Sequence, residues 1–154
     1  MLSPEEFSVD VLGHAVPLSL VLPRNEHEEV FLVGESEGSP AAACLSPKYR
    51  FESFPSTNNQ SWKGIIIPKV RIEVDEESVF DADAGAPLGT VIRTGEHLVL
   101  RSRGENSSGR RRNVLLHGSL GSGSEYSAGF FNWQIVVGEG IGKRVLHTVC
   151  AKTT

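Results

Sequence analysis

The sequence lacks the long apolar runs and the cysteine frameworks that would place it in a membrane or staple it covalently. Among its 154 residues, no apolar run approaches the roughly 18 residues that a membrane-spanning helix needs. The two cysteines, Cys44 and Cys150, have no second cysteine at metal-ligand spacing. We therefore expect two buried thiols, leave a single disulfide open, and do not expect a membrane partner.

The first residues also lack the basic and then apolar pattern of a secretory signal. Glu5 and Glu6 follow directly after the first four residues, so this end of the chain is acidic. Sparse cysteine agrees with a reducing compartment. These two features predict a cytoplasmic protein.

An amphipathic helix is missing as well, since no window keeps an apolar stripe at three- and four-residue spacing between capping signals. A short helix or turn at residues 39–45 is the one exception that we expect. The chain instead carries 16 glycines and 8 prolines, which divide it into short segments joined by turns. With 39% hydrophobic and 22% charged residues, the composition is that of one globular domain over residues 1–154.

Apolar residues recur at every second position, which is the period of a half-buried strand. Residues 70–74 alternate apolar and charged side chains, and Trp133, Ile135 and Val137 share the inward face of another predicted strand. A tight hairpin is predicted at residues 94–96. The sequence thus predicts an all-β antiparallel β-sandwich or jelly roll of about ten to twelve short strands, with a β-trefoil or other closed β-barrel as the alternative.

Charge is unevenly distributed along the chain. Residues 1–85 carry 15 acidic and 6 basic side chains, whereas residues 86–154 carry 4 acidic and 9 basic ones, so the halves have net charges of −9 and +5. Overall the chain has a net charge of −4. The negative net charge argues against nucleic acid as a partner, and the uneven distribution of charge directs attention to the basic half.

Five arginines of the basic half form the candidate ligand-binding site. They are Arg101, Arg103, Arg110, Arg111 and Arg112. The first two share a face of a predicted strand, and the other three follow a Gly/Ser-rich loop at residues 104–109. Together they predict a site that grips an anion, unless they only solvate the loop or pair with the acidic half.

A catalytic site could also be assembled from residues that are distant in sequence. The candidate set is Asp81, Glu96, His97 and His117. General acid and base chemistry uses these residue types, but their spacing forms no motif. The five histidines likewise form no pair at metal-ligand spacing, so neither a metal nor a cofactor is expected.

Polar loops on a strand-rich scaffold are typical of proteins that present a binding surface. The sequence therefore favours a non-enzymatic ligand-binding or protein-interaction and assembly module over a small enzyme, with anion or nucleic-acid binding through the arginine loop as a third hypothesis. The expected partner is an unknown protein or a small anionic ligand. Association of identical chains into a homo-oligomer is left open.

Overall fold

Strands dominate the chain. A computed structural model describes residues 8–11, 18–23, 29–36, 38–55, 63–82, 85–94, 97–105, 111–117 and 127–151, and these contain fourteen strands joined by turns and short 3-10 segments. The first seven strands are β1 (Ser8–Val11), β2 (Ser19–Pro23), β3 (Phe31–Ser36), β4 (Ser39–Cys44), β5 (Ser53–Pro55), β6 (Lys63–Ile67) and β7 (Arg71–Val74). The remaining seven are β8 (Val79–Asp81), β9 (Val91–Thr94), β10 (His97–Glu105), β11 (Arg111–His117), β12 (Ser127–Phe130), β13 (Asn132–Val137) and β14 (Arg144–Cys150).

The strands form two antiparallel sheets. The larger has eleven strands, in the order β1-β6-β2-β3-β11-β10-β9-β12-β8, with β4 pairing to β3 and β5 to β4. The smaller has the order β14-β13-β7. The described strands close no barrel, and the predicted all-β antiparallel fold is confirmed, with two sheets packed as a β-sandwich.

The core lies between the two sheets. The small sheet contributes Trp133, Ile135, Val137 and Val149, whereas the large sheet contributes apolar side chains from β2, β3, β9, β10 and β11. Trp133 is only 2% exposed, which confirms its predicted inward position. The period of two seen in the sequence is therefore the signature of strands with one face on this core.

Two turns follow the sequence closely. Thr94 lies opposite His97 in the β9–β10 hairpin, as the Thr94-Gly95-Glu96 signal predicts. The C-terminal hairpin joins β13 to β14 through a 3-10 turn at Gly140–Gly142. The hairpin predicted at residues 94–96 is thus confirmed.

The expected helix or turn at residues 39–45 is wrong, because strand β4 lies there. Its alanines have a strong helix propensity, yet β4 pairs with β3 on one side and β5 on the other. Ala43 faces the main core, and Ala42 faces a second apolar cluster on the opposite side of the large sheet. Small side chains fit a strand that is covered on both faces, so tertiary pairing overrides propensity.

The cysteine prediction is half correct. Cys44 is buried in the second cluster, and burial raises the pKa of its thiol. Cys150 is exposed on β14, where alternation turns it away from the core. Neither cysteine forms a disulfide.

None of the described segments is a helix long and apolar enough to cross a membrane.

Candidate functional site

The outer face of strand β10 carries two of the five predicted arginines. Leu100 and Ser102 are both fully buried, so alternation directs Arg101 and Arg103 to the opposite face of the strand. Arg103 is exposed and Arg101 is partly buried. The structure thus brings these two side chains to one surface, which we call the arginine face.

The backbone of the arginine face is held by a turn and by the loop before β5. Gly89 N donates to the carbonyl oxygen of Arg101 at 2.9 Å, and Arg103 N donates to that of Phe51 at 2.6 Å. The indole Nε1 of Trp133 donates to the Gly89 carbonyl oxygen at 2.8 Å. The backbone of the arginine face is therefore hydrogen-bonded to Gly89 and Phe51, and Trp133 of the core holds Gly89 in turn.

Gly89 is required at its position. Its φ is +84°, a conformation that side chains with a Cβ rarely adopt, and a Cβ there would come within 2.1 Å of the Phe51 ring. The ring of Phe51 packs against the glycine because this space is open. The support beneath Arg101 therefore depends on the absence of a side chain at residue 89.

The guanidinium of Arg101 has a donor without an acceptor. Its Nη1 donates to Oδ1 of Asn113 at 3.3 Å, whereas its Nε is buried and has no hydrogen-bond partner among the described residues. A buried donor without an acceptor costs about 1 to 3 kcal/mol of folding free energy.

Arg103 lies on the same face of β10 as Arg101. Within the described residues its guanidinium has no hydrogen-bond or ion-pair partner. Glu52 forms an isolated β-bridge with Arg103, but no ion pair joins their side chains. The two arginines therefore present N–H donors that their neighbours leave available.

The other three predicted arginines are placed less fully. Arg111 and Arg112 belong to strand β11, where Arg111 lies opposite Glu105, and Arg110 lies outside the described residues. Strand β10 also extends through Gly104 and Glu105, which the sequence assigns to a loop. Strand β10 thus covers the first two residues of the predicted loop.

The candidate catalytic residues do not come together as a set. Asp81 lies opposite Ala128, Ala128 opposite Arg93, Arg93 opposite Leu98, and Leu98 opposite His117. Four strand spacings of about 4.8 Å thus separate Asp81 from His117, or roughly 19 Å. Glu96 lies outside the described residues, and His97 is next to Leu98. Asp81 and His117 cannot act on the same reacting atom.

Metal-binding residues were also sought among the described part of the chain. No group of three or more His, Cys, Asp and Glu side chains is placed there to hold an ion. His147 lies on β14, and burial, with a smaller contribution from the charge of Arg50, lowers its pKa. A neutral imidazole is therefore favoured at this position.

The sequence interpretation missed the residues that support the arginines. Asn113, Gly89 and Phe51 have no motif in common, because their role depends on which strands are neighbours. A weak signal exists for Gly89, since it follows Pro87 and Leu88 in a turn pattern. Asn113, which directly follows the arginine run, had no signal beyond its position.

The fold and this surface define an all-β sandwich protein with a basic strand. Comparison of the sequence with protein families shows that the chain belongs to the family described as "Uncharacterised protein y4lG", whose model matches residues 9–154. It is 50% identical over 147 residues to the protein "Uncharacterized protein y4lG" of Sinorhizobium fredii (strain NBRC 101917 / NGR234), covering 95% of this chain and 91% of that protein. No solved structure matches the chain.

Proposed function

We propose that this protein is a non-enzymatic binding module, and that its arginine face binds an oxyanion such as a phosphate or carboxylate group. The observation that carries the proposal is the exposed guanidinium of Arg103, which has no hydrogen-bond or ion-pair partner among the described residues. Arg101 supplies a second guanidinium on the same surface. An oxyanion would accept hydrogen bonds from Arg103 and from the guanidinium of Arg101.

The chemistry of the guanidinium group supports an oxyanion. Its planar fork of N–H donors matches the oxygen spacing of carboxylate and phosphate, and two parallel hydrogen bonds to one anion are roughly twice as strong as neutral ones. Asn113 holds Nη1 of Arg101, which limits the orientations of the fork. The nearby charge of Arg103 adds attraction that salt would weaken.

The ligand class follows from the balance of charge. A chain with a net charge of −4 does not attract a long polyanion over distance, so a small anionic ligand or an acidic protein surface is favoured over nucleic acid. We also propose a cytoplasmic location, because the exposed Cys150 and the buried Cys44 both lie outside disulfides.

Retention on phosphocellulose tests the proposal. We expect Arg101→Ala/Arg103→Ala to elute at clearly lower salt than the wild type. Arg71→Ala/Arg93→Ala is the matched control, because it removes the same charge from arginines that have carboxylate partners. It should elute close to the wild type. Equal elution of the two variants would contradict a localised anion site.

A further inference from the structure

A second surface on the same chain is complementary to the arginine face. Two adjoining clefts of about 380 and 350 Å³ meet at the end of the small sheet, where both are lined by Asp75 and Asn132. Glu73 lines the first cleft, and Glu77 and Phe131 line the second. We call these clefts together the acidic groove.

The carboxylates of the acidic groove differ in their partners. Glu73 accepts hydrogen bonds from Lys143 at 3.0 Å and from Gln134 at 3.1 Å, and these bonds lower its pKa. In contrast, the Glu77 carboxylate has no partner among the described residues. From the part of the chain that the structure describes, Asp75 Oδ1 accepts only the backbone N–H of Glu77, at 3.0 Å. Negative charge at Asp75 and Glu77 is therefore available to an outside cation.

The chemistry of the groove fits a guanidinium group. A carboxylate accepts its paired N–H donors, and an aromatic side chain such as Phe131 offers a surface on which the planar cation can stack. The amide of Asn132 adds a further acceptor beside Asp75. The groove therefore contains each kind of group that recognises arginine.

The two surfaces are on different sheets and do not neutralise each other within one chain. Arg101 and Arg103 lie on β10 of the large sheet, whereas the groove crosses β7 and β13 of the small sheet. No ion pair connects the two surfaces in the described part of the chain. This separation is the structural counterpart of the charge segregation in the sequence, where the halves carry −9 and +5.

We infer that the partner of the arginine face is the acidic groove of a second copy of this chain, an inference that rests on the proposed function and names the source of the oxyanion. The carboxylates of Asp75 and Glu77 in one copy accept hydrogen bonds from Arg101 and Arg103 in the other. Such contact is head-to-tail, and it leaves one free surface of each kind at the ends of an assembly. Association then continues beyond a dimer unless a ring closes.

Sedimentation velocity with the full chain tests the inference. We expect the wild type to associate at low salt and to dissociate at high salt, because screening shortens the reach of surface charges to about 3 Å at 1 M. Arg101→Glu/Arg103→Glu reverses the arginine face, and Asp75→Asn/Glu77→Gln removes the charge of the groove while keeping an acceptor oxygen at residue 75. Each variant alone should associate at least about tenfold more weakly.

The decisive experiment is to mix the two variants. The first keeps an intact groove and the second keeps an intact arginine face, so the mixture should form a 1:1 dimer that grows no further. Lys69→Glu/Arg144→Glu makes the same change in net charge as the arginine reversal and should associate like the wild type. A wild type that stays monomeric at low salt, or a mixture that forms no dimer, would overturn the inference.

The two proposals fail in different ways. Asp75→Asn/Glu77→Gln should still be retained on phosphocellulose, because its arginine face is unchanged. Retention without self-association would leave the oxyanion site standing and reject the second copy as its partner. Loss of the difference between Arg101→Ala/Arg103→Ala and the control on that matrix would reject the oxyanion site itself.

Discussion

Two pairs of arginines in this molecule differ in what their side chains contact. Arg93 donates two hydrogen bonds to Glu76, at 3.0 and 3.3 Å, and lies 4.7 Å from the centre of the Phe130 ring. Arg71 donates to the Gly138 carbonyl oxygen and lies 3.9 Å from Glu139. Among the described residues, Arg101 has one side-chain partner, Asn113, and its buried Nε has no acceptor.

The difference separates structural charge from charge available for binding. Arg71 and Arg93 help to join turns to strands, so their donors are used within the chain. Arg101 and Arg103 are held through their backbones by groups from the core, and their guanidinium groups contribute little to holding the fold. A backbone that is held rigidly, with side-chain N–H donors left available, is the arrangement that favours ligand binding.

The largest expected effect concerns Trp133, the core residue that holds Gly89 beneath the arginine face. Trp133→Ala should lower the free energy of unfolding by about 3 to 5 kcal/mol, because it empties a fully packed site and removes the donor to Gly89. Chemical denaturation measures the change. Val79→Ala is the control, since Val79 is 52% exposed and its truncation should stay within about 0.5 kcal/mol. Equal losses for the two variants would contradict the assignment of Trp133.

The next effect concerns the glycine beneath Arg101. Gly89→Ala should cost about 2 to 4 kcal/mol, because it combines a positive φ with a clash against the Phe51 ring. Gly38 also has a positive φ, of +79°, but a Cβ there meets nothing within 4 Å. Gly38→Ala should therefore cost only about 1 to 2 kcal/mol. Thermal and chemical unfolding of both variants would show whether crowding adds to backbone strain.

The comparison between the arginine pairs predicts a smaller difference in stability. Arg71→Ala/Arg93→Ala should lower the free energy of unfolding by about 1 kcal/mol, since it removes exposed ion pairs and a cation–π contact. Arg101→Ala/Arg103→Ala should not lower it, because the buried Nε of Arg101 without an acceptor costs free energy in the folded state. A larger loss from the second variant would show that the arginine face has a structural role.

The smallest effect is a dependence on pH. Burial lowers the pKa of His147 in the fold, so the unfolded chain binds its proton more readily. Stability from this group is complete above the ordinary histidine pKa of about 6.5 and declines as pH falls towards the lowered value. From about pH 7.5 to about pH 5.5, the wild type should lose more stability than His147→Gln. Identical pH profiles would contradict this.

The fold could be predicted from the sequence where one face of a strand meets the core. Residues 70–74 show the period of two because Val70, Ile72 and Val74 pack in the main core while Arg71 is exposed. Strand β4 could not be predicted in this way, since Ala42 and Ala43 are buried on opposite faces and leave no alternation. Long-range pairing, which the sequence does not display, determines such a strand.

The charged residues of the candidate site could be predicted from the sequence, but their roles could not. The sequence directed attention to Arg101 and Arg103 through charge alone, and it grouped them with Arg110, Arg111 and Arg112. It did not show that Arg101 would have a buried Nε or that Gly89 would hold its backbone, because both depend on strand order. In the sequence, Asp75 and Glu77 are likewise visible only as part of the acidic half, and nothing indicates that they line a groove.

The central claim is that Arg101 and Arg103 together bind an oxyanion, and their Nε–H resonances in a ¹H–¹⁵N NMR spectrum test this most directly. During a titration with inorganic phosphate, the Nε–H signals of Arg101 and Arg103 should shift and saturate together, while that of Arg93, which already pairs with Glu76, should stay in place. Assignment can use single arginine-to-lysine variants. If the Arg101 signal does not move, or if all arginine signals drift together without saturating, the claim is wrong.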